Sequence, residues 1–235
     1  MRLDDPTSVR EEYATEQGLA GRKAAYRFAE GPDARQVAFE AIAEGAPKRI
    51  LEVGCGEGEL AERLARELES AVVATDQSER MVELTRARGL DARVADVDDL
   101  PFADGEFDCA VAAWMLYHVP DLDRALRELA RVLRPGGRLV AVTNAPEGLR
   151  ELFDLLGKER PAMSFNGENG AELLREHFSS VERREAYGWI AFPDRAAAQS
   201  YVDASIVNFG ESQLPEFDGP LRVRRAPVVF VADKA

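Results

Sequence analysis

Three glycines at alternate positions, Gly54, Gly56 and Gly58, lie in the stretch LEVGCGEG, Leu51 to Gly58, between an apolar run and a helical one. Such a turn lets the backbone fold tightly and approach a ligand closely, because no Cβ stands in the way. Two later apolar runs end on carboxylates, Asp76 and Asp96. A carboxylate at the first of these places can accept both hydroxyls of a ribose, and one at the second can meet the exocyclic amine of an adenine. These residue types and spacings suit the holding of a nucleoside.

The residues just after the turn narrow the kind of nucleoside. A dinucleotide fingerprint needs G-x-G-x-x-G, its third glycine opening a helix whose N-terminus holds pyrophosphate. Glu59 occupies that third place here. Beside Glu57 and Glu52 it repels a pyrophosphate but tolerates an ammonium such as that of a methionine moiety. No G-K-[ST] comes after the turn, which excludes a P-loop. The cysteines, Cys55 and Cys109, form neither a disulfide framework nor a zinc pattern, so no structural metal is expected. Cys55 has no histidine near it in sequence and reads as a small buried residue.

These groups need a frame, and the periodicity supplies one. Short β-branched runs alternate with helical stretches, the pattern of an α/β protein with a largely parallel sheet. Strands are expected at Arg49 to Val53, Ala71 to Thr75, Ala92 to Ala95, Phe107 to Ala113 and Arg138 to Thr143. Helices are expected at Asp33 to Glu44, Glu59 to Leu68, from Ser78 to Gly89, and at Leu122 to Leu133 before the RPGG turn. Beyond Asn144 the signal weakens. Val181 to Ile190 and Val228 to Asp233 read as an antiparallel strand pair, with helix-like Arg195 to Phe209 between them as a cap. The expected fold is a Rossmann-like, doubly wound, seven-stranded, mostly parallel sheet with helices on both faces and that antiparallel pair at its C-terminal edge. It forms a single domain: an N-terminal helical segment (1–45) covering the nucleoside site, a binding core (46–145), and the end of the sheet with a substrate cap (146–235, the cap at about 195–225).

The chain has 235 residues, 46% hydrophobic and 31% charged, with no apolar run of membrane-spanning length. Its N-terminus carries acids and lacks a signal peptide's apolar region, so a cytoplasmic location is expected. A net charge of −13 repels polyanions and disfavours nucleic acid as a partner. Arginines 183, 184, 222, 224 and 225 read mainly as a solvated face, with binding of an anionic substrate as the alternative.

The stretches LEVGCGEGEL, VVATDQSERMVELTRARG, VADVDDLPFADGEFDCAVAAWMLYHV and LARVLRPGGRLVAVT succeed one another from about Arg49 to Asn144. In that order they resemble the motifs of class I S-adenosylmethionine-dependent methyltransferases, in particular the small-molecule branch with the ubiquinone and menaquinone enzymes. The resemblance implies S-adenosyl-L-methionine as cofactor, S-adenosyl-L-homocysteine as product, and a small-molecule methyl acceptor. It further implies that Glu52 and the glycine turn hold the methionine end, and that Asp76 holds the ribose. Gln77 and Met81 would border ribose and adenine, Asp96 and Val97 the other adenine edge, and Ala113 and Trp114 the floor near the sulfonium. Tyr13 and Arg22 would cover the cofactor.

Methyl transfer is an in-line displacement that needs orientation and dryness more than a nucleophile on the enzyme. Tyr13, Trp114 and Tyr117 are expected near the methyl as electron-rich rings. His118 is the candidate base for a hydroxyl or acidic carbon, or else a packed histidine bonded to backbone. Met115 and Leu116 read as core. Two other classes stay open, an NAD(P)- or flavin-dependent oxidoreductase and a catalytically silent protein that keeps the cofactor fold. The acceptor carries no readable motif.

Overall fold

The structure is a computed structural model that describes residues 21, 23–205 and 209–235. Ten strands occur among them: β1 (Ala29–Glu30), β2 (Arg49–Val53), β3 (Ala71–Asp76), β4 (Asp91–Val94), β5 (Phe107–Ala113), β6 (Leu133–Asn144), β7 (Ser180–Glu185), β8 (Gly188–Phe192), β9 (Leu221–Arg225) and β10 (Pro227–Asp233). The helices that position them are α1 (Ala34–Glu44), α2 (Glu59–Leu68), α3 (Glu79–Ala87), α4 (Leu122–Val132), α5 (Arg150–Leu156), α6 (Gly170–Arg175) and α7 (Arg195–Asp203). Local chemistry sets several starts. Asp33, Ser78, Asp121 and Asp194 each accept a backbone N–H of the helix they precede, relieving one unpaired donor.

Seven strands form one sheet in the order β4-β3-β2-β5-β6-β10-β7. β4 through β6 run parallel, and β10 is antiparallel to both β6 and β7. The interior strands are apolar on both faces, as helices on either side require. In β5, Ala110 and Ala112 join the core under α4, whereas Cys109 and Val111 join the opposite core under α1, α2 and α3. The chain leaves β2 outward for β3 and β4 and then returns to β5. The sheet therefore has its switch point between β2 and β5, where a crevice opens at the strands' carboxyl ends.

The opposite end of those strands is locked. Asp108 accepts from the backbone N–H groups of Lys48 and Arg49 at 2.8 Å each and from Arg134 Nε at 2.7 Å.

The C-terminal part corrects the expectation from sequence. Val181 to Ile190 is two strands in two sheets: β7 pairs with β10, while β8 joins a separate antiparallel sheet in the order β1-β8-β9. The run breaks at Ala186 and Tyr187, and Gly188 admits the neighbouring strand, since a Cβ there would lie 2.2 Å from the Glu30 carbonyl oxygen. The small sheet, α5 and α7 share a core of their own that includes Leu152, Phe153, Phe192, Tyr201, Val202 and Val223. The RPGG turn is likewise part of β6, whose pairing with β5 shifts register between Phe107 and Cys109.

Candidate functional site

The crevice at the switch point is a cavity of about 400 Å³. Its lining brings together Glu52, Gly54, Gly56, Asp76, Gln77, Asp96, Val97, Ala113, Trp114 and His118, ten of the residues singled out from sequence. The glycine turn passes close to the segment after β5. A Cβ on Gly54 would lie 2.8 Å from the Met115 side chain, and φ there is +65°. Gly56, at φ +53°, faces open space, so a Cβ would intrude on the volume a ligand needs.

Asp76, at the end of β3, braces this turn. One carboxylate oxygen accepts the Gly56 N–H at 2.9 Å and the other the Ser78 N–H at 2.9 Å. Each oxygen keeps a further lone pair for a hydroxyl. Burial raises the carboxyl's pKa, against the pull of those N–H groups.

Glu52 is more extreme. It is 3% exposed, and its Oε2 has no hydrogen-bond partner. Burial, only partly opposed by the Ala61 N–H and reinforced by the nearby Asp76, pushes its pKa up to about 8. A buried carboxylate oxygen without a donor is costly, and a cation set against it removes the cost. The carboxylates of this cavity thus fit the ammonium and ribose of S-adenosylmethionine.

Trp114 follows β5 in the left-handed region, at φ +55°, tied by its N–H to the Val142 carbonyl at 2.8 Å. A non-glycine residue held there stores strain of about 1 kcal/mol, maintained by its surroundings. His118 lies one short turn further on, its ring 4.5 Å from that of Tyr117 in an edge contact.

Other residues singled out from sequence lie elsewhere. Met81 is fully buried under the first turn of α3 and does not line the cavity. Gly58 caps α2 behind the lining, and Tyr117 packs against the core. Tyr13 and Arg22 fall outside the described residues.

The family profile described as "Methyltransferase domain" matches residues 51–141. Residues 51–141 are thus similar to methyltransferase domains. That likeness is in keeping with the carboxylates of the cavity.

Proteins similar to this chain include the Thermus thermophilus demethylmenaquinone methyltransferase, 41% identical over 119 residues, 48% of this chain and 54% of that one. The methyltransferase GfsG of Streptomyces halstedii is 42% identical over 109 residues, 43% of this chain and 39% of that one. The ubiquinone biosynthesis O-methyltransferase of Xanthomonas oryzae is 42% identical over 105 residues, 42% and 44% of the two chains. The matches thus span about two fifths to one half of these relatives' lengths. Among solved structures, a SAM-dependent methyltransferase from Thermotoga maritima aligns over 95% of this chain and 97% of its own, with TM-score 0.61 at 22% identity. The [4+2]-cyclase SpnF aligns over 85% and 80%, with TM-score 0.57 at 21% identity. These likenesses concern the fold.

Two residues that hold the turn and the mouth of the cavity had no sequence signal. Thr85, from α3, donates to the Gly56 carbonyl at 3.0 Å and so pins the turn. Lys23 bridges Glu57 at 2.5 Å and Glu59 at 2.9 Å across the mouth. Partial burial raises Glu59, but Lys23 together with Arg35 and Arg88 outweighs it and holds the carboxyl low. The two acids therefore do not stand unopposed. Cys55 also lines the cavity, and burial pushes its thiol up to about 12, which leaves no thiolate for chemistry.

Proposed function

We propose that this protein transfers a methyl group from S-adenosyl-L-methionine to an O, N or C atom of a small molecule. The observation that carries the reading is the pairing, in one cavity of a methyltransferase domain, of the partnerless Glu52 Oε2 with the turn-braced Asp76. Asp76 accepts the ribose hydroxyls. Glu52 and the backbone at Gly54 and Gly56 take the methionine end, Gln77, Asp96 and Val97 border the adenine, and Ala113 and Trp114 form the floor near the sulfur.

When bound, the cofactor supplies an activated methyl group and a neutral thioether leaving group. The chain's own contribution is orientation and exclusion of water. The Trp114 indole covers the cavity floor, and the imidazole of His118 takes the proton from an acceptor hydroxyl or acidic carbon. In this reading residues 46–145 bind the cofactor, the segment 1–45 covers it, and the acceptor enters beneath the cap in 146–235. The relatives include methyltransferases named for menaquinone and ubiquinone chemistry, which supports a small-molecule acceptor rather than nucleic acid. No helix among the described residues is long and apolar enough to cross a membrane. We place the protein in the cytoplasm, in keeping with its two unbridged thiols.

Transfer of a labelled methyl group to an acceptor panel, together with calorimetric titration of S-adenosylhomocysteine, tests the reading. Cofactor binding and acceptor labelling are expected; NADH binding without S-adenosylhomocysteine binding would overturn it. The likeness to SpnF, named as a cyclase, favours one alternative, a cofactor fold without methyl transfer. Tight S-adenosylhomocysteine binding with no labelling of any acceptor would select that alternative.

A further inference from the structure

Arg160 stands out among the arginines of an acid-rich chain. Arg49, Arg131, Arg134, Arg138 and Arg184 each hold a carboxylate. Arg160 is half-buried, yet it makes no ion pair with any described residue. Its Nη1 is spent on the loop that follows β6, donating to the carbonyls of Ala145 at 2.9 Å, Pro146 at 2.7 Å and Gly148 at 2.6 Å. Three carbonyls on one nitrogen fix the plane of the guanidinium. Nη2 meets only the Met163 sulfur, at 3.7 Å, and Nε has no acceptor among the described residues.

The unused edge is the one that pairs with carboxylates, since Nε–H and Nη2–H are the parallel donors that match the two oxygens of such a group. Its place in the fold fits an acceptor. The loop it clamps follows the carboxyl end of β6, the strand whose Val142 lines the cavity. In the next segment Ser164 Oγ donates at 3.5 Å to the carbonyl of Tyr117, whose chain neighbour His118 lines the cavity. Tyr201 of α7 and Tyr117 are the first of its electrostatic neighbours, followed by Glu147. Burial lowers the guanidinium's pKa, and a bound anion would offset that penalty.

We propose that Arg160 binds a carboxylate of the methyl acceptor, so that the substrate is a small acid anchored behind Tyr117 with its reactive atom toward His118 and Trp114. The inference rests on the methyltransferase reading for the word acceptor and on Arg160's own geometry for the carboxylate. A single guanidinium edge suits one carboxylate better than a phosphate, which takes donors from several sides.

The test follows the Arg Nε–H resonances of the full chain by NMR while sodium benzoate, benzamide or inorganic phosphate is added, with and without S-adenosylhomocysteine. Arg160→Lys assigns the resonance by its loss. Should that variant fail to fold, Met163→Leu assigns it by a shift. The expected result is a saturable movement of the Arg160 resonance with benzoate, at least about tenfold tighter than with benzamide or phosphate. Equal responses to benzoate and benzamide, a preference for phosphate, or no movement would overturn the carboxylate site. Benzoate binding in a protein that fails to bind S-adenosylhomocysteine would leave the site standing and remove its role as an acceptor site. Binding of S-adenosylhomocysteine with no benzoate response would sink this inference alone.

Discussion

Asp76 does two things with one carboxyl group. It holds the glycine turn through Gly56 and offers its remaining lone pairs to a ligand. In the proposed ribose role, Asp76→Ala removes a charge-assisted pair of hydrogen bonds, so S-adenosylhomocysteine binding should weaken by about 2 to 3 kcal/mol. Calorimetric titration measures it, and an unchanged dissociation constant would remove Asp76 from the ribose role. This residue was readable in the sequence because its signal is local, an acid ending a strand ahead of a capped helix. Thr85 and Lys23 were not. Each reaches the turn from some thirty residues away, and a lone Thr in a helix or a Lys near the N-terminus has no periodic or motif context. Met81 shows the converse: the motif carries it, yet its side chain turns into the core under α3.

At the scale of elements, the large sheet was readable and the small one was not. The central strands declare themselves by continuous apolar composition, since both faces are covered. β7 (SVERRE) is largely charged and β8 (GWIAF) apolar, but with only two residues between them they read as one run. The available signal was Gly188, an isolated glycine inside a strand pattern, which marks close backbone approach. β1 is two residues long, too short for any periodicity. What fastens it is Arg225, expected to be solvated but in fact 6% exposed. Its guanidinium donates to the carbonyls of Trp189 at 3.3 Å, Glu30 at 3.1 Å and Pro32 at 3.3 Å, tying all three strands of the small sheet. Arg225→Ala leaves those carbonyls short of a donor and should destabilise the protein by about 2 to 4 kcal/mol. Hydrogen exchange should show the loss concentrated in β1, β8 and β9. Uniform loss over both sheets would mean that the small sheet does not open by itself.

Across the whole molecule, two sets of carboxyls pull stability in opposite directions with pH. Asp108 is held low chiefly by the Arg134 guanidinium and Glu128 chiefly by Arg131. A carboxyl whose folded pKa is depressed stabilises above its unfolded pKa, and that stability is lost as pH falls through the folded value. Glu52 is the reverse. Its folded pKa of about 8 lies above the ordinary glutamate value of 4.5, so its contribution is complete below 4.5 and fades as pH rises toward 8. The ligand-free protein should therefore be most stable near pH 5, to an order of magnitude in proton concentration, with a midpoint temperature that declines toward pH 8. Relief of the −13 net charge toward the isoelectric point acts in the same direction, and Glu52→Gln separates the two effects. That variant should flatten the decline and keep only the charge-repulsion part. With Glu52 in its proposed role as partner of the ammonium, S-adenosylhomocysteine should act against the decline, its stabilisation by mass action growing as the carboxyl ionises. Thermal unfolding of both proteins across this range, with and without S-adenosylhomocysteine, checks the sign of each effect. A ligand-induced shift independent of pH in the parent protein would mean that the ammonium is held somewhere other than Glu52.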